Sequence, residues 1–263
     1  MVQEPGGRKP RGLWEGIVYG PIPSRRLGLS LGVNVLPIAS KLCSFNCRYC
    51  QLGWTPRPPD PERHEDLPTP ELIVKALEEA LSALAEGGTS LDTITFSGNG
   101  EPTLHPSLDE IAQGSKALRD RYAPQAKLAI LSNSSTVGKE EVRQTLHRFD
   151  LKIMKLDAGD EETIRRLNRP LMSFSLQEVI EGVKALEEVI LQSLFVRGRV
   201  SNIQPEILAL WIERVREIRP LLVQVYSLDR VPADRGLEKV ERNVLEEIAR
   251  LVEERTGVKA EVY

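Results

Sequence analysis

Apolar runs rich in β-branched residues recur six times along the 263-residue chain, separated by amphipathic helical patterns. That alternation is the mark of strand-helix units laid into a parallel sheet. The runs span 31–37, 92–98, 127–133, 151–157, 190–197 and 221–228. Several intervening helices carry readable ends. Thr69 caps a helix that opens with Pro70, keeps Ile73, Leu77, Leu81 and Leu84 on one face, and stops at Gly87-Gly88. Ser175 and Glu178 have capping-box spacing, Pro205 opens a further helix, and Gly257 closes the last one before a short strand over 258–263. Asp160 is placed to cap a helix running through Leu167. The fold class read from this pattern is α/β, a partial (β/α)6 TIM barrel with an N-terminal extension. Residues 1–17 are read as an N-terminal arm and 18–263 as one core domain.

All three cysteines fall within eight residues, Cys43-Ser-Phe-Asn-Cys47-Arg-Tyr-Cys50. An odd, clustered count cannot build an intramolecular disulfide framework, whereas three thiolates on one loop can hold a soft metal or an iron-sulfur cluster. A four-iron cluster usually takes four thiolates, so three leave one iron open to another ligand. A Cys3His zinc site competes for the same cysteines, with His64, His105 or His147 as the fourth ligand.

Ligands of parallel α/β folds bind at the carboxyl ends of the strands. The second run ends in Ser97-Gly98-Asn99-Gly100-Glu101-Pro102, a turn whose glycines allow positive φ and close backbone approach to a ligand. Ser132 and Asn133 end the third run, and Lys155 and Asp157 share one face of the fourth. An ion pair lining the barrel is the structural alternative for that lysine and aspartate. Arg197 and Arg230 follow the fifth and sixth runs, where a guanidinium can grip a carboxylate or phosphate. Gln192 and Gln224 lie inside apolar runs and need polar partners.

The C-x3-C-x2-C spacing, with Tyr49 before the third cysteine and the Gly98-Asn99-Gly100-Glu101-Pro102 turn, resembles the radical S-adenosylmethionine (SAM) superfamily. The resemblance implies the same partial barrel, a [4Fe-4S] cluster on Cys43, Cys47 and Cys50, and SAM on the fourth iron. In that family the cluster reductively cleaves SAM to a 5′-deoxyadenosyl radical that abstracts hydrogen from a substrate. It further implies SAM contacts from Tyr49, Gly98, Asn99, Gly100, Glu101, Ser132, Asn133 and Asp157. Lys155, Arg197 and Arg230 become candidates to act on the substrate, and an electron donor such as flavodoxin or ferredoxin is expected. The Gly-Gly-Glu-Pro-like motif of the family has Asn99 interposed here, and Lys155-Leu156-Asp157 reverses the order of a related strand-end motif. The segment Gly20-Pro21-Ile22-Pro23-Ser24-Arg25-Arg26-Leu27-Gly28 and Cys47-Arg48-Tyr49-Cys50-Gln51-Leu52-Gly53 are similar to an oxidoreductase subgroup related to the wyosine-forming tRNA enzymes.

Composition narrows the alternatives. No cysteine remains for a second cluster, and a formal net charge of −3 gives no support to broad phosphate contact with tRNA, although Arg25 and Arg26 form a local basic patch. A glycyl-radical activating enzyme, which installs its radical on a partner protein, remains compatible with one cluster. No secretory signal or membrane-spanning run is read, so a cytoplasmic location, where thiols stay reduced, is expected.

Overall fold

A computed structural model describes residues 12–60 and 67–263. Its main sheet has eight strands: β1 (Val18–Ser24), β2 (Gly28–Val33), β3 (Thr93–Phe96), β4 (Lys127–Ser132), β5 (Leu151–Lys155), β6 (Val189–Leu194), β8 (Leu222–Tyr226) and β10 (Ala260–Val262). The spatial order is β1-β2-β3-β4-β5-β6-β8-β10, and β1 does not pair with β10. The curve is therefore an open barrel wall. Only the β1–β2 pair is antiparallel. From β2 onward the pairs are parallel, with Ile94 of β3 registered between Leu31 of β2 and Leu128 of β4. A two-stranded ribbon, β7 (Val196–Gly198) with β9 (Leu237–Lys239), stands apart.

Helices α1 (Pro70–Glu86), α2 (Leu108–Tyr122), α3 (Glu140–Leu146), α4 (Glu161–Leu167), α5 (Leu176–Lys184), α6 (Pro205–Ile218) and α7 (Arg242–Thr256) occupy the connections. Their caps follow the local chemistry of the sequence. Thr69 Oγ1 accepts Leu72 N–H at 3.3 Å, Asp160 Oδ1 accepts Thr163 N–H at 2.8 Å, and Ser175 Oγ accepts Glu178 N–H at 3.3 Å. Gly257 ends α7 in the left-handed conformation. The apolar helix faces close on the sheet, where Ile73, Leu77 and Leu81 of α1 are buried. Trp211 of α6 packs edge-on against Phe195 with ring centroids 4.9 Å apart, and its indole N–H donates to Leu156 O at 3.0 Å.

Two features depart from the sequence pattern. The strands stop earlier than their apolar runs, because the residues that follow them leave the ladder to build the site. The run at 190–197 divides into β6 and β7, with Phe195 between them. Of the expected arm, residues 1–11 lie outside the described residues. Trp14 is anchored: its ring stacks on Tyr19 at 3.7 Å, and Asn99 clasps its backbone.

Candidate functional site

The three-cysteine loop follows β2 and is held on both sides by backbone. Leu42 N–H donates to Asn99 O at 2.9 Å and Glu101 N–H donates to Leu42 O at 3.0 Å, which docks the loop on the glycine-rich turn after β3. On its other side Arg48 N–H donates to Leu167 O at 2.9 Å, and Leu171 N–H donates to Ser44 O at 2.8 Å. Gly100 explains the first contact. Its φ is +149°, and a Cβ added there would lie 1.6 Å from Leu42 O. At Gly98 (φ +143°) an added Cβ would lie 2.5 Å from Asn34 Oδ1. Both glycines thus permit close approach of this chain's own groups.

Cys43 and Cys47 are buried and Cys50 is half-buried. Each sulfur meets one side-chain N–H donor. Asn133 Nδ2 lies 3.5 Å from Cys43 Sγ, Asn168 Nδ2 3.6 Å from Cys47 Sγ, and Lys41 Nζ 3.2 Å from Cys50 Sγ. Thiols accept such bonds weakly, whereas cluster thiolates accept them and are tuned by them. Burial, then the neighbouring Cys50, pushes the Cys47 thiol up to about 11, and burial raises Cys43 further. Such groups stay protonated until a metal takes the sulfur. The donor set and the burial together fit an iron-sulfur cluster.

The two buried carboxylates are committed differently. Glu101 Oε1 accepts from Thr103 N (3.1 Å), Thr103 Oγ1 (2.6 Å) and Ser132 Oγ (2.9 Å), while Oε2 accepts from Asn133 N (2.6 Å). Four neutral donors thus tie the turn after β3 to the end of β4. Burial nonetheless pushes the carboxyl above its ordinary value. Asp157 Oδ2 accepts from Tyr49 OH (2.5 Å) and Asn168 Nδ2 (2.7 Å), and Oδ1 accepts from Leu194 N (2.8 Å). Lys155 Nζ lies 3.2 Å from Asp157 Oδ1, so the ion pair that stood as the structural alternative for these two residues is present. Burial alone would lower the Lys155 pKa, but Asp157 and then Tyr226 raise it well above the ordinary value.

A cavity of about 480 Å³ opens at the carboxyl ends of the strands. Tyr49, Cys50, Gly98, Lys155, Gln192 and Arg230 line it, so those six sequence candidates come together. The side chains of other candidates serve the frame. Asn99 Nδ2 donates to Trp14 O and Pro37 O, both at 3.0 Å, and its Oδ1 accepts Trp14 N–H at 2.8 Å. Ser132 and Asn133 hold Glu101, and Arg197 faces Glu241 at 2.8 Å, away from the cavity. Gln192 Nε2 donates to Gln224 Oε1 at 2.9 Å, the partnership their parallel register allows. The cavity also includes Tyr226 and Arg26, which the strand pattern did not single out; Tyr226 OH lies 2.8 Å from Lys155 Nζ, and Arg26 sits 4.7 Å over the Tyr226 ring.

For the zinc alternative, His64 lies outside the described residues. His105 accepts Ser107 N–H on Nδ1 and lies 3.1 Å from Pro68 O through Nε2, while His147 is exposed at the end of α3. Among the described residues no three His, Cys, Asp or Glu side chains are gathered to enclose a single ion. A four-iron cluster spreads its ligands more widely than an ion does.

Comparison with known proteins adds family relations. The model of the radical SAM superfamily matches residues 38–196. A UPF0026 protein of Methanocaldococcus jannaschii is 32% identical over 245 residues, covering 92% of this chain and 72% of its own length. Among solved structures, a radical SAM methyltransferase from Sphaerobacter thermophilus superimposes with a TM-score of 0.67 at 16% identity, over 89% of this chain and 65% of that one. TYW1 with a lysine-pyruvate adduct bound gives 0.60 at 16% identity, over 88% of this chain and 74% of that one. At such identities these two likenesses concern the fold.

Proposed function

The chain belongs to the radical SAM superfamily and, within it, to the family of the UPF0026 proteins, and on that premise we propose that Cys43, Cys47 and Cys50 hold three irons of a [4Fe-4S] cluster whose fourth iron takes SAM. When bound, the cluster supplies one electron that cleaves the SAM sulfonium, giving methionine and a 5′-deoxyadenosyl radical for hydrogen abstraction. The observation that carries this reading is the N–H donor on each of the three sulfurs, in a loop that borders the cavity through Cys50.

The surrounding residues divide into two groups. Tyr49 presents its ring to the cavity, and Asp157 and Asn168 fix its hydroxyl, so the ring offers a rigid face to SAM. Gly98 lines the cavity wall, where the methionyl end of SAM binds. Asn99, Gly100, Glu101, Ser132 and Asn133 support SAM indirectly, by fixing the turn and the cysteine loop. Lys155, Tyr226 and Gln192 form a hydrogen-bonded row that orients polar groups of the substrate. Arg230, at the cavity rim, holds a carboxylate or phosphate of it.

The reaction needs a low-potential electron donor such as flavodoxin or ferredoxin, and reduced surroundings such as the cytoplasm. Among the described residues no helix is long and apolar enough to cross a membrane. Anaerobic reconstitution with iron and sulfide tests the reading. The expected result is a reduced-cluster EPR signal that changes on adding SAM, with release of 5′-deoxyadenosine. An unchanged signal together with no 5′-deoxyadenosine rejects it.

A further inference from the structure

One buried cation supplies the donor to the Cys50 sulfur, and the scheme above gives its charge no role. Lys41 is 5% exposed, and its ammonium donates to Gly53 O at 2.8 Å and to Cys50 Sγ at 3.2 Å. Among the described residues no carboxylate pairs with it. The two buried carboxylates of the site are engaged elsewhere, Asp157 with Lys155, Tyr49 and Asn168, and Glu101 with Thr103, Ser132 and Asn133. Among the described residues its polar partners are thus one sulfur and one carbonyl, and burial of an unmatched charge is strongly unfavourable. The arrangement is balanced once the loop carries a group of net negative charge.

We infer that Lys41 is the charge partner of the cluster, a positioning residue that sets how readily the cluster accepts its electron. The inference rests on the cluster assignment proposed above. The three sulfur contacts are unequal in a way that supports it. Asn133 and Asn168 give neutral donors at 3.5 and 3.6 Å, whereas the charged donor is also the shortest and falls on Cys50, the cysteine that lines the cavity. One-electron reduction adds one negative charge to the cluster and makes or breaks no bond, the electron coming from the low-potential donor. A fixed cation close to a ligand sulfur therefore stabilises the reduced form more than the oxidised form, and the low local dielectric enlarges the difference. Lys41 raises the reduction potential.

The competing role is mechanical, since the bond to Gly53 O also pins the end of the cysteine loop. Lys41→Arg keeps the charge, Lys41→Gln keeps an N–H donor one atom shorter and loses the charge, and Lys41→Met loses both. The full chain and each variant are reconstituted anaerobically, assayed for iron and sulfide, and titrated with the reduced-cluster EPR signal as the readout. At a fixed potential the ratio of reduced to oxidised cluster should fall at least about tenfold in Lys41→Gln, equivalent to ~59 mV for one electron. Lys41→Arg should stay near the wild type. Full loading of Lys41→Gln at the wild-type potential overturns the inference, and so does a Lys41→Arg shift as large as that of Lys41→Gln. If Lys41→Gln takes up no iron, loading becomes the readout. Retention by Lys41→Arg with loss in both Lys41→Gln and Lys41→Met supports the charge role, and loss in Lys41→Arg as well overturns it. A wild-type chain that takes up no cluster rejects the proposed function itself, an outcome distinct from any difference among the variants.

Discussion

Gly100→Ala separates two explanations of the glycine-rich turn, one in which the glycine leaves room for a bound ligand and one in which it leaves room for the cysteine loop. The new Cβ would start 1.6 Å from Leu42 O, and contacts below 3.0 Å are not sustained, so backbone has to move. That movement stretches the two hydrogen bonds flanking the contact, Leu42 N–H to Asn99 O and Glu101 N–H to Leu42 O. Each such bond contributes about 1 kcal/mol net, and leaving its buried groups unpaired costs about as much again. An alanine at φ +149° adds roughly 1–3 kcal/mol of backbone strain. The destabilisation should total about 5–7 kcal/mol, and it should be present without cluster or SAM. Urea denaturation of the metal-free protein measures it, with iron uptake as a second readout. A metal-free Gly100→Ala protein within about 1 kcal/mol of the wild type would refute the docking explanation and return the glycine to the ligand.

Asp157→Asn leaves Lys155 buried without its anion, so it should destabilise by roughly 3–5 kcal/mol and abolish 5′-deoxyadenosine release; a urea midpoint close to the wild type's would contradict this. Arg197→Ala removes only a half-exposed pair with Glu241, so stability should change by less than about 1 kcal/mol and SAM cleavage should persist, and loss of cleavage in a folded variant would bring Arg197 into the site. Burial raises the Glu101 carboxyl above its ordinary 4.5 against the pull of its hydrogen-bond donors. A raised carboxyl contributes stability that is complete below the unfolded value and fades as pH rises through the folded one. The stability of the wild type minus that of Glu101→Gln, measured in the metal-free proteins, should therefore decline from about pH 4.5 towards neutrality; a rise over that window would mean that the donors outweigh burial.

Local chemistry was legible in the sequence and tertiary approach was not. The start of α1 follows from Thr69 and Pro70, and the spacing of the cysteines depends on no distant residue. The ends of the strands were blurred because Ser97, Asn133 and Asp157 lie close behind apolar residues in the sequence but beyond the strand ends in space. Strand β1 was missed because Gly20, Pro21 and Pro23 break any alternation, although the strand pairs with β2 along its edge. Lys41 stands two residues before Cys43, but nothing local indicates that its ammonium turns inward to Cys50. Asn168 gives no signal at all, since its contact with Cys47 joins residues 121 apart in the chain. The glycines were recognised as permissive, but the neighbour they admit, Leu42 O for Gly100, is defined only by the folded loop.

The charges of the site divide by the kind of partner each has found. Lys155 and Asp157 match one another within 3.2 Å, so the pair balances its own charge, and its hydrogen bonds reach Tyr49 and Tyr226. Glu101 has neutral donors alone, which accounts for a carboxyl displaced upward by burial. Among the described residues Lys41 donates only to the Cys50 sulfur and the Gly53 carbonyl. Three buried or half-buried thiols stand beside it, and burial drives the two deeper ones towards the protonated form. An iron-sulfur core bound here would act on both imbalances together, because it would convert the thiols to thiolates and give the ammonium an anionic neighbour. The unmatched lysine and the raised thiols are thus two sides of one electrostatic state, and removing Lys41 should be felt first in the charge the cluster can carry.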